Sequence, residues 1–267
     1  MSETNDILNK IENYFNYIKD KNLLIFSKEV ESYEKFLNSK FEYTPQYTQN
    51  DETSQEKMSD VISEKQSDFS NIRVCDEDWK NAKTLDELKE KIEECKKCDL
   101  WKTRTNFVFG TGNPKAKVVV VGEAPGAEED KQGKPFVGRA GQLLTQILAS
   151  VGFDREEVFI CNVLKSRPPE NRNPLPEEIK ACEPYLIKQL DIIKPKLILC
   201  VGTFAAQTLL KTKDSLGKMR GSFHTYNGIP LLVTFHPAAL LRNPNWKRPT
   251  WEDVQLFKKE YDKIMAN

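Results

Sequence analysis

Apolar and polar positions alternate along the chain in two distinct rhythms. Val118-Val-Val-Val121, Val158-Phe-Ile-Cys161, Leu197-Ile-Leu-Cys-Val201 and Leu231-Leu-Val-Thr-Phe235 are short, β-branched-rich apolar runs. Residues 139–151, 177–193, 203–211 and 250–264 instead repeat their apolar positions at helical spacing. Strand runs apolar throughout are buried on both faces, so this order predicts an α/β fold of three layers, with a four-stranded, mainly parallel sheet between helices. Upstream, Ile7, Leu8, Ile11, Phe15 and Ile18, then Phe26, Val30, Tyr33 and Leu37, have helical spacing on two successive segments. They predict a helical hairpin within residues 1–43. Residues 44–75 are rich in Gln, Asn, Asp, Glu, Ser and Thr and have few large apolar residues from which to build a core, as expected of a flexible linker. Residues 76–267 then form the α/β domain, and no internal repeat is present.

Charge divides the chain along the same boundary. Residues 1–75 carry 9 basic and 14 acidic side chains, leaving 31 basic and 26 acidic downstream. An excess of that size fits a solvated mixed surface and is no nucleic-acid signature by itself. No segment approaches the ~18 apolar residues of a membrane span, and Met-Ser-Glu-Thr-Asn-Asp has no secretory pattern. A cytoplasmic protein is expected. Six irregularly spaced cysteines make no disulfide scaffold, which agrees with a reducing compartment.

The cysteines carry the first chemical signal. Thr84-Leu-Asp-Glu87 has the spacing of a capping box, and the short helix it opens delivers Cys95-Lys-Lys-Cys98 to a turn before the first strand. Cys182 follows far downstream. Three thiolates suit a soft centre, zinc or an iron–sulfur cluster. A redox CxxC pair and unrelated buried cysteines are the alternatives.

A second signal comes from the strand ends. Ligands of open α/β sheets sit beyond the carboxyl ends of the strands, where this chain places Gly122-Glu123-Ala124-Pro125-Gly126, Asn162, Gly202-Thr203 and His236-Pro237. Glu123, Asn162 and His236 thereby gather at one rim. A carboxylate positions water or stabilises a cation, an amide offers a paired donor and acceptor, and an imidazole stabilises an oxyanion or moves a proton. Gly122–Gly126 lacks both phosphate-loop spacings, and its glutamate repels phosphate. Phe136, in a Gly- and Pro-interrupted loop, can offer a flat face to a ring or simply anchor the loop.

These residues together resemble a known family. Gly-Glu-Ala-Pro-Gly at 122–126, Lys-Pro-Phe-Val-Gly at 134–138, Asn162 in Asn-Val-Leu-Lys, Arg-Pro-Pro-Glu-Asn-Arg at 167–172 and His-Pro-Ala-Ala-Leu-Leu-Arg-Asn-Pro at 236–244 are similar to family 4 uracil-DNA glycosylases, the iron–sulfur type. The resemblance runs from about Cys95 to Tyr261 and leaves residues 1–75 outside. It implies a uracil-DNA glycosylase-like fold and an enzyme acting as a monomer on uracil-containing DNA, with no membrane. The flipped base would meet Gly122, Ala124, Phe136 and Asn162, with Phe136 stacked on it and Asn162 reading its edge, while Glu129 obstructs a thymine methyl. His236 would stabilise the departing uracil anion, and Glu123 would position water. Leu240 and Leu241 would enter the duplex and Arg242 would contact phosphate, with Lys247 and Arg248 extending the basic edge. The family cluster takes four cysteines. This chain supplies Cys95, Cys98 and Cys182 and has Ser166 at the remaining position, which predicts a [4Fe-4S] cluster with a weak corner.

Two other functions fit the same sequence: a DNA-binding iron–sulfur protein without excision activity, and a relative trapped covalently on its product. The intact rim set argues against the first. The absence of histidine from residues 165–176 argues against the second. The sequence names no partner for the N-terminal helical segment.

Overall fold

The structure is a computed structural model that describes residues 77–266. The hairpin expected over 1–43 and the linker expected over 44–75 lie outside the described residues. A 3-10 turn at Glu77–Asn81 leads to α1 (Leu85–Ile92), a second turn at Asp99–Lys102, β1 (Thr111–Gly112), β2 (Val118–Gly122), α2 (Ala127–Gln132) and α3 (Arg139–Ser150). Then come β3 (Phe159–Asn162), α4 (Pro176–Ile193), β4 (Leu197–Val201), α5 (Thr203–Leu210), α6 (Leu216–Met219), β5 (Phe223–Tyr226) and β6 (Ile229–Thr234). The chain ends in α7 (Pro237–Arg242), a 3-10 turn at Pro244–Trp246 and α8 (Lys247–Ala266).

The sheet has six strands in the order β1-β3-β2-β4-β6-β5. Its central four are mutually parallel and correspond to the four apolar runs, while β1 and β5 pair antiparallel at the edges. The expected four-stranded sheet is therefore corrected to a mixed six-stranded one. Both edge strands lack the signal of a buried strand: β1 is two residues long, and β5 is mostly half-exposed. The β5–β6 hairpin turns at Asn227-Gly228, both with positive φ (47° and 79°), the preferred chemistry of a two-residue hairpin loop.

Successive side chains of a strand point to opposite faces, so Val119 and Val121 enter one core with Leu88, Tyr185, Leu186 and Leu209 of α1, α4 and α5. Val118 and Val120 enter the other, with Leu143, Leu144 and Leu148 of α3, Leu240 of α7 and Phe257 of α8. Each such fully buried aliphatic side chain stabilises the fold by roughly 1.5–3 kcal/mol. From β2 the chain adds β3 on one side, then crosses to β4 on the other. That reversal opens a crevice at the carboxyl end of β2, the usual ligand position in such sheets.

Candidate active site and cysteine centre

Parallel pairing sets Gly122 directly beside Asn162 at the ends of β2 and β3. A Cβ on Gly122 would collide with Asn162 Oδ1 and come within 2.5 Å of Phe136 Cζ, so three expected site residues meet at one point. Asn162 is 1% exposed, and its Oδ1 is buried without a protein hydrogen-bond partner. An unmatched buried acceptor costs about 1–3 kcal/mol, which a donor brought by a ligand would relieve. The Asn162 backbone is held firmly: Lys165 Nζ donates to its carbonyl at 2.7 Å and to Gln189 Oε1 at 2.6 Å, and Gln189 Nε2 donates to the Phe109 carbonyl at 2.9 Å. Lys165 is wholly buried, and that burial lowers its pKa.

Phe136 is buried with φ at 52°, in the left-handed region that aromatic residues avoid. Its ring lies 5.5 Å from that of His236, tilted by 32°. Glu129 fastens the loop from one side: its Oε1 accepts from Val137 N and Gly138 N, both at 2.9 Å. The carboxylate expected to obstruct a methyl group is seen here anchoring the Phe136 loop. The Arg155 guanidinium holds the other side, donating to the carbonyls of Pro135 and Phe136 at 2.9 Å.

His236 caps α7, and its Nδ1 accepts from Ala238 N at 3.2 Å. That bond places the proton of the neutral ring on Nε2. Burial first, and then the Arg242 charge, push the imidazole pKa down to about 4, against an opposing pull from Glu129. The ring is therefore neutral at pH 7. Behind it, Thr234 Oγ1 donates to Asp253 Oδ2 at 2.7 Å, and Arg220 forks onto both oxygens of Asp253 at 2.9 and 3.0 Å, fixing the end of β6. Gly202, with φ at 98°, lets β4 turn against the histidine: a Cβ there would lie 3.1 Å from His236 Cβ.

Glu123 is half-buried, and burial raises its carboxyl pKa. The Glu123 carbonyl accepts from Leu164 N at 3.0 Å, extending the β2–β3 pairing past the strand ends. Ala124 packs on the core that faces α1 and α4. Leu240 does not face solvent: it is completely buried, because the six-residue α7 turns it onto α3 and α8. Leu241 is half-buried and Arg242 exposed, so those two carry the outward face.

On the other face of the sheet the cysteines converge. Cys98 and Cys182 face one another, and their interaction pulls the Cys98 thiol down to about 7 and pushes Cys182 well up. Cys95 lies close enough to act on Cys182, and its sulfur accepts from Tyr185 OH at 3.2 Å and Lys97 N at 3.4 Å. Ser166, 3% exposed, accepts from Arg104 Nη1 at 3.1 Å, while Arg104 Nη2 donates to the Glu93 carbonyl at 2.9 Å. Among the described residues, no three His, Cys, Asp or Glu side chains form a single-ion site. Three thiols and one serine hydroxyl are, by donor type, a set that an iron–sulfur centre would take, with one oxygen in place of sulfur. Cys161 and Cys200 sit within the sheet, where burial pushes their thiols up.

Sequence reasoning missed Arg155, Lys165, Gln189, Tyr185 and Arg104. Tyr185 was the most accessible of these, standing three residues after Cys182 and so on the same face of α4.

The ends of a mainly parallel α/β sheet thus bring together an amide, an aromatic ring and a neutral imidazole. The chain belongs to the uracil DNA glycosylase superfamily, which residues 109–255 match. It is 46% identical over 184 residues to the type-4 uracil-DNA glycosylase of Archaeoglobus fulgidus, covering 66% of this chain and 91% of that one. It is 45% identical over 175 residues to the type-4 uracil-DNA glycosylase of Thermotoga maritima, covering 64% and 91%. A type-5 uracil-DNA glycosylase of Pyrobaculum aerophilum is more distant, at 28% over 160 residues, covering 54% and 70%.

Proposed function

We propose that this protein excises uracil from DNA by hydrolysing the N-glycosidic bond, leaving an abasic site. The observation that carries this reading is the buried, unpartnered Asn162 Oδ1, set against Gly122 and the Phe136 ring. Uracil N3–H supplies the donor that this oxygen lacks, and the Asn162 amide N–H donates to uracil O4. Cytosine presents the reversed pattern. A site built around such bonds discriminates by ~10⁴ or more, since the wrong base leaves buried polar groups unpaired.

The nucleotide leaves the base stack at a cost of a few kcal/mol. Phe136 covers the face of the flipped base, and Leu241 and Arg242 meet the DNA at the same rim, the leucine as an apolar wedge and the arginine on phosphate. As the C1′–N1 bond breaks, its electron pair leaves with uracil and positive charge builds on the sugar. His236 donates from Nε2–H to uracil O2, a preorganised neutral donor of the kind worth about 3 kcal/mol. Ionised Glu123 favours the cationic sugar and positions the water whose oxygen bonds to C1′.

Cys95, Cys98 and Cys182, with Ser166 at a weak fourth corner, are the residues that would hold an iron–sulfur cluster. Through these four residues the turn after α1, the segment after β3 and α4 would be joined at one bound group, and glycosidic hydrolysis would ask no redox step of it. The catalytic unit spans residues 76–267, so deleting residues 1–75 leaves excision intact; a folded but inactive truncation contradicts that boundary.

The deciding experiment incubates the protein with a uracil-containing oligonucleotide and cleaves abasic sites with alkali. Strand shortening at uracil is expected, with Asn162→Asp losing preference for uracil over cytosine. No shortening by folded wild-type protein would reject the function.

A further inference from the structure

Phe136 is the one site residue whose backbone sits in a disfavoured conformation. At φ 52° an aromatic residue stores strain, of the order of 1–3 kcal/mol, and persists there only where its surroundings over-determine it. What over-determines it is Arg155, nineteen residues downstream. Its Nη2 donates at 2.9 Å both to the Pro135 carbonyl and to the Phe136 carbonyl, and its Nη1 donates at 3.0 Å to Thr145 Oγ1. The Thr145 hydroxyl in turn donates to the Gly141 carbonyl at 3.2 Å, which locks the guanidinium onto α3. Gly141 completes the cradle: a Cβ there would collide with the Phe136 carbonyl, so α3 approaches the strained peptide at van der Waals range.

We infer that Arg155 is a positioning residue for base recognition, acting through Phe136: its Nη2 holds the Pro135 and Phe136 carbonyls, with Nη1 anchored on Thr145, so that the ring stands where the flipped base must stack. This rests on the stacking role given to Phe136 above. Both carbonyls meet one nitrogen, Nη2, while Nη1 of the same rigid plane is tied to Thr145; a lysine ammonium, a single nitrogen on a flexible stem, lacks that second anchored donor. Glu129, on the opposite side of the loop, holds the next two amides, so the turn is pinned at both its carbonyls and its N–H groups. Released from Arg155, the Phe136 peptide relaxes toward negative φ and carries the ring away from His236.

The test is a double-mutant cycle on uracil excision with the full chain, using Arg155→Met, Phe136→Ala and the pair. A positioning role predicts that Arg155→Met raises KM by about tenfold with kcat nearly unchanged, and adds nothing further in the Phe136→Ala background. Near-ultraviolet circular dichroism is expected to match the wild type. Equal KM penalties in both backgrounds would mean a general structural role and overturn the inference. An unchanged KM for Phe136→Ala alone would instead reject the stacking role, and the inference with it. Should Arg155→Met not fold, Thr145→Val decides: it frees the guanidinium without removing it. A two- to threefold KM rise that vanishes in Phe136→Ala supports the inference, and an unchanged KM overturns it.

Discussion

Lys165 Nζ lies 2.7 Å from the main-chain oxygen of Asn162 and 2.6 Å from Gln189 Oε1, a fully buried amine shared between the end of β3 and α4. Because Lys165 directly precedes Ser166, the same segment ties the cysteines to the end of β3. Lys165→Met leaves two buried acceptors without their donor, an expected loss of about 1–3 kcal/mol. Urea unfolding should show a lower midpoint with an unchanged slope. An unchanged midpoint would mean that the cost of burying the charge cancels its bonds.

The pH dependence follows from two groups shifted in opposite directions. His236, pushed down to about 4, stays neutral through the range in which an ordinary histidine titrates. Glu123, raised by burial, loses its charge at a pH above the ordinary 4.5 as acid is added. The acid limb of excision is therefore set by Glu123 and disappears in Glu123→Gln, while His236 is still unprotonated. With only two histidines in the chain, NMR resolves the His236 ring directly; a titration midpoint near 6.5 would contradict the buried neutral donor.

Gly122→Ala should preserve the fold and abolish most recognition. The added methyl meets the Asn162 amide and the Phe136 ring, both fixed by Lys165 and Arg155 and unable to retreat. Displacements near 1 Å at a reacting site cost on the order of a hundredfold in rate, and kcat/KM should fall by at least that with the melting temperature little changed. Wild-type kinetics would show that the two side chains yield more readily than their bonds imply.

Ser166→Cys gives the cysteine group its fourth thiolate. Iron and sulfide analysis after exposure to air should find more iron retained than in the parent chain, since serine oxygen is a harder and more basic ligand than thiolate. Equal retention would show that the Ser166 corner is not weak. A colourless, zinc-bound protein would reject a cluster at Cys95, Cys98 and Cys182.

The central strands were legible because burial on both faces leaves an uninterrupted apolar run, as in Val118–Val121. Strand ends then located Glu123, Asn162 and His236, since parallel strands place their carboxyl ends on one rim. β1 was invisible because two residues carry no period. Leu240 was misplaced for a related reason: in a helix of six residues, one position of phase separates a core leucine from an outward one. The capping box at Thr84 was correctly read in part. Thr84 Oγ1 accepts from Glu87 N at 3.2 Å, but the Glu87 carboxylate reaches Lys83 N at 2.7 Å rather than the capping residue itself. Arg155 left no trace, and Lys165 showed only as the end of the Asn-Val-Leu-Lys run with no role, because each grips a main-chain carbonyl, and a carbonyl is the same at every position.

The bond from Ala238 N to His236 Nδ1 has a genetic consequence. The atom that fixes the imidazole tautomer belongs to the peptide backbone, so an alanine scan passes over position 238 in silence and credits the histidine alone. Proline is the substitution that deletes this N–H, and Ala238 lies in the first turn of α7. Ala238→Pro would remove the bond that fixes the ring's tautomer and leave the ring free to turn a lone pair, instead of a proton, outward. A loss-of-function allele of that kind would read as conservative on the page and silent in the core, with its whole effect written in the placement of one hydrogen.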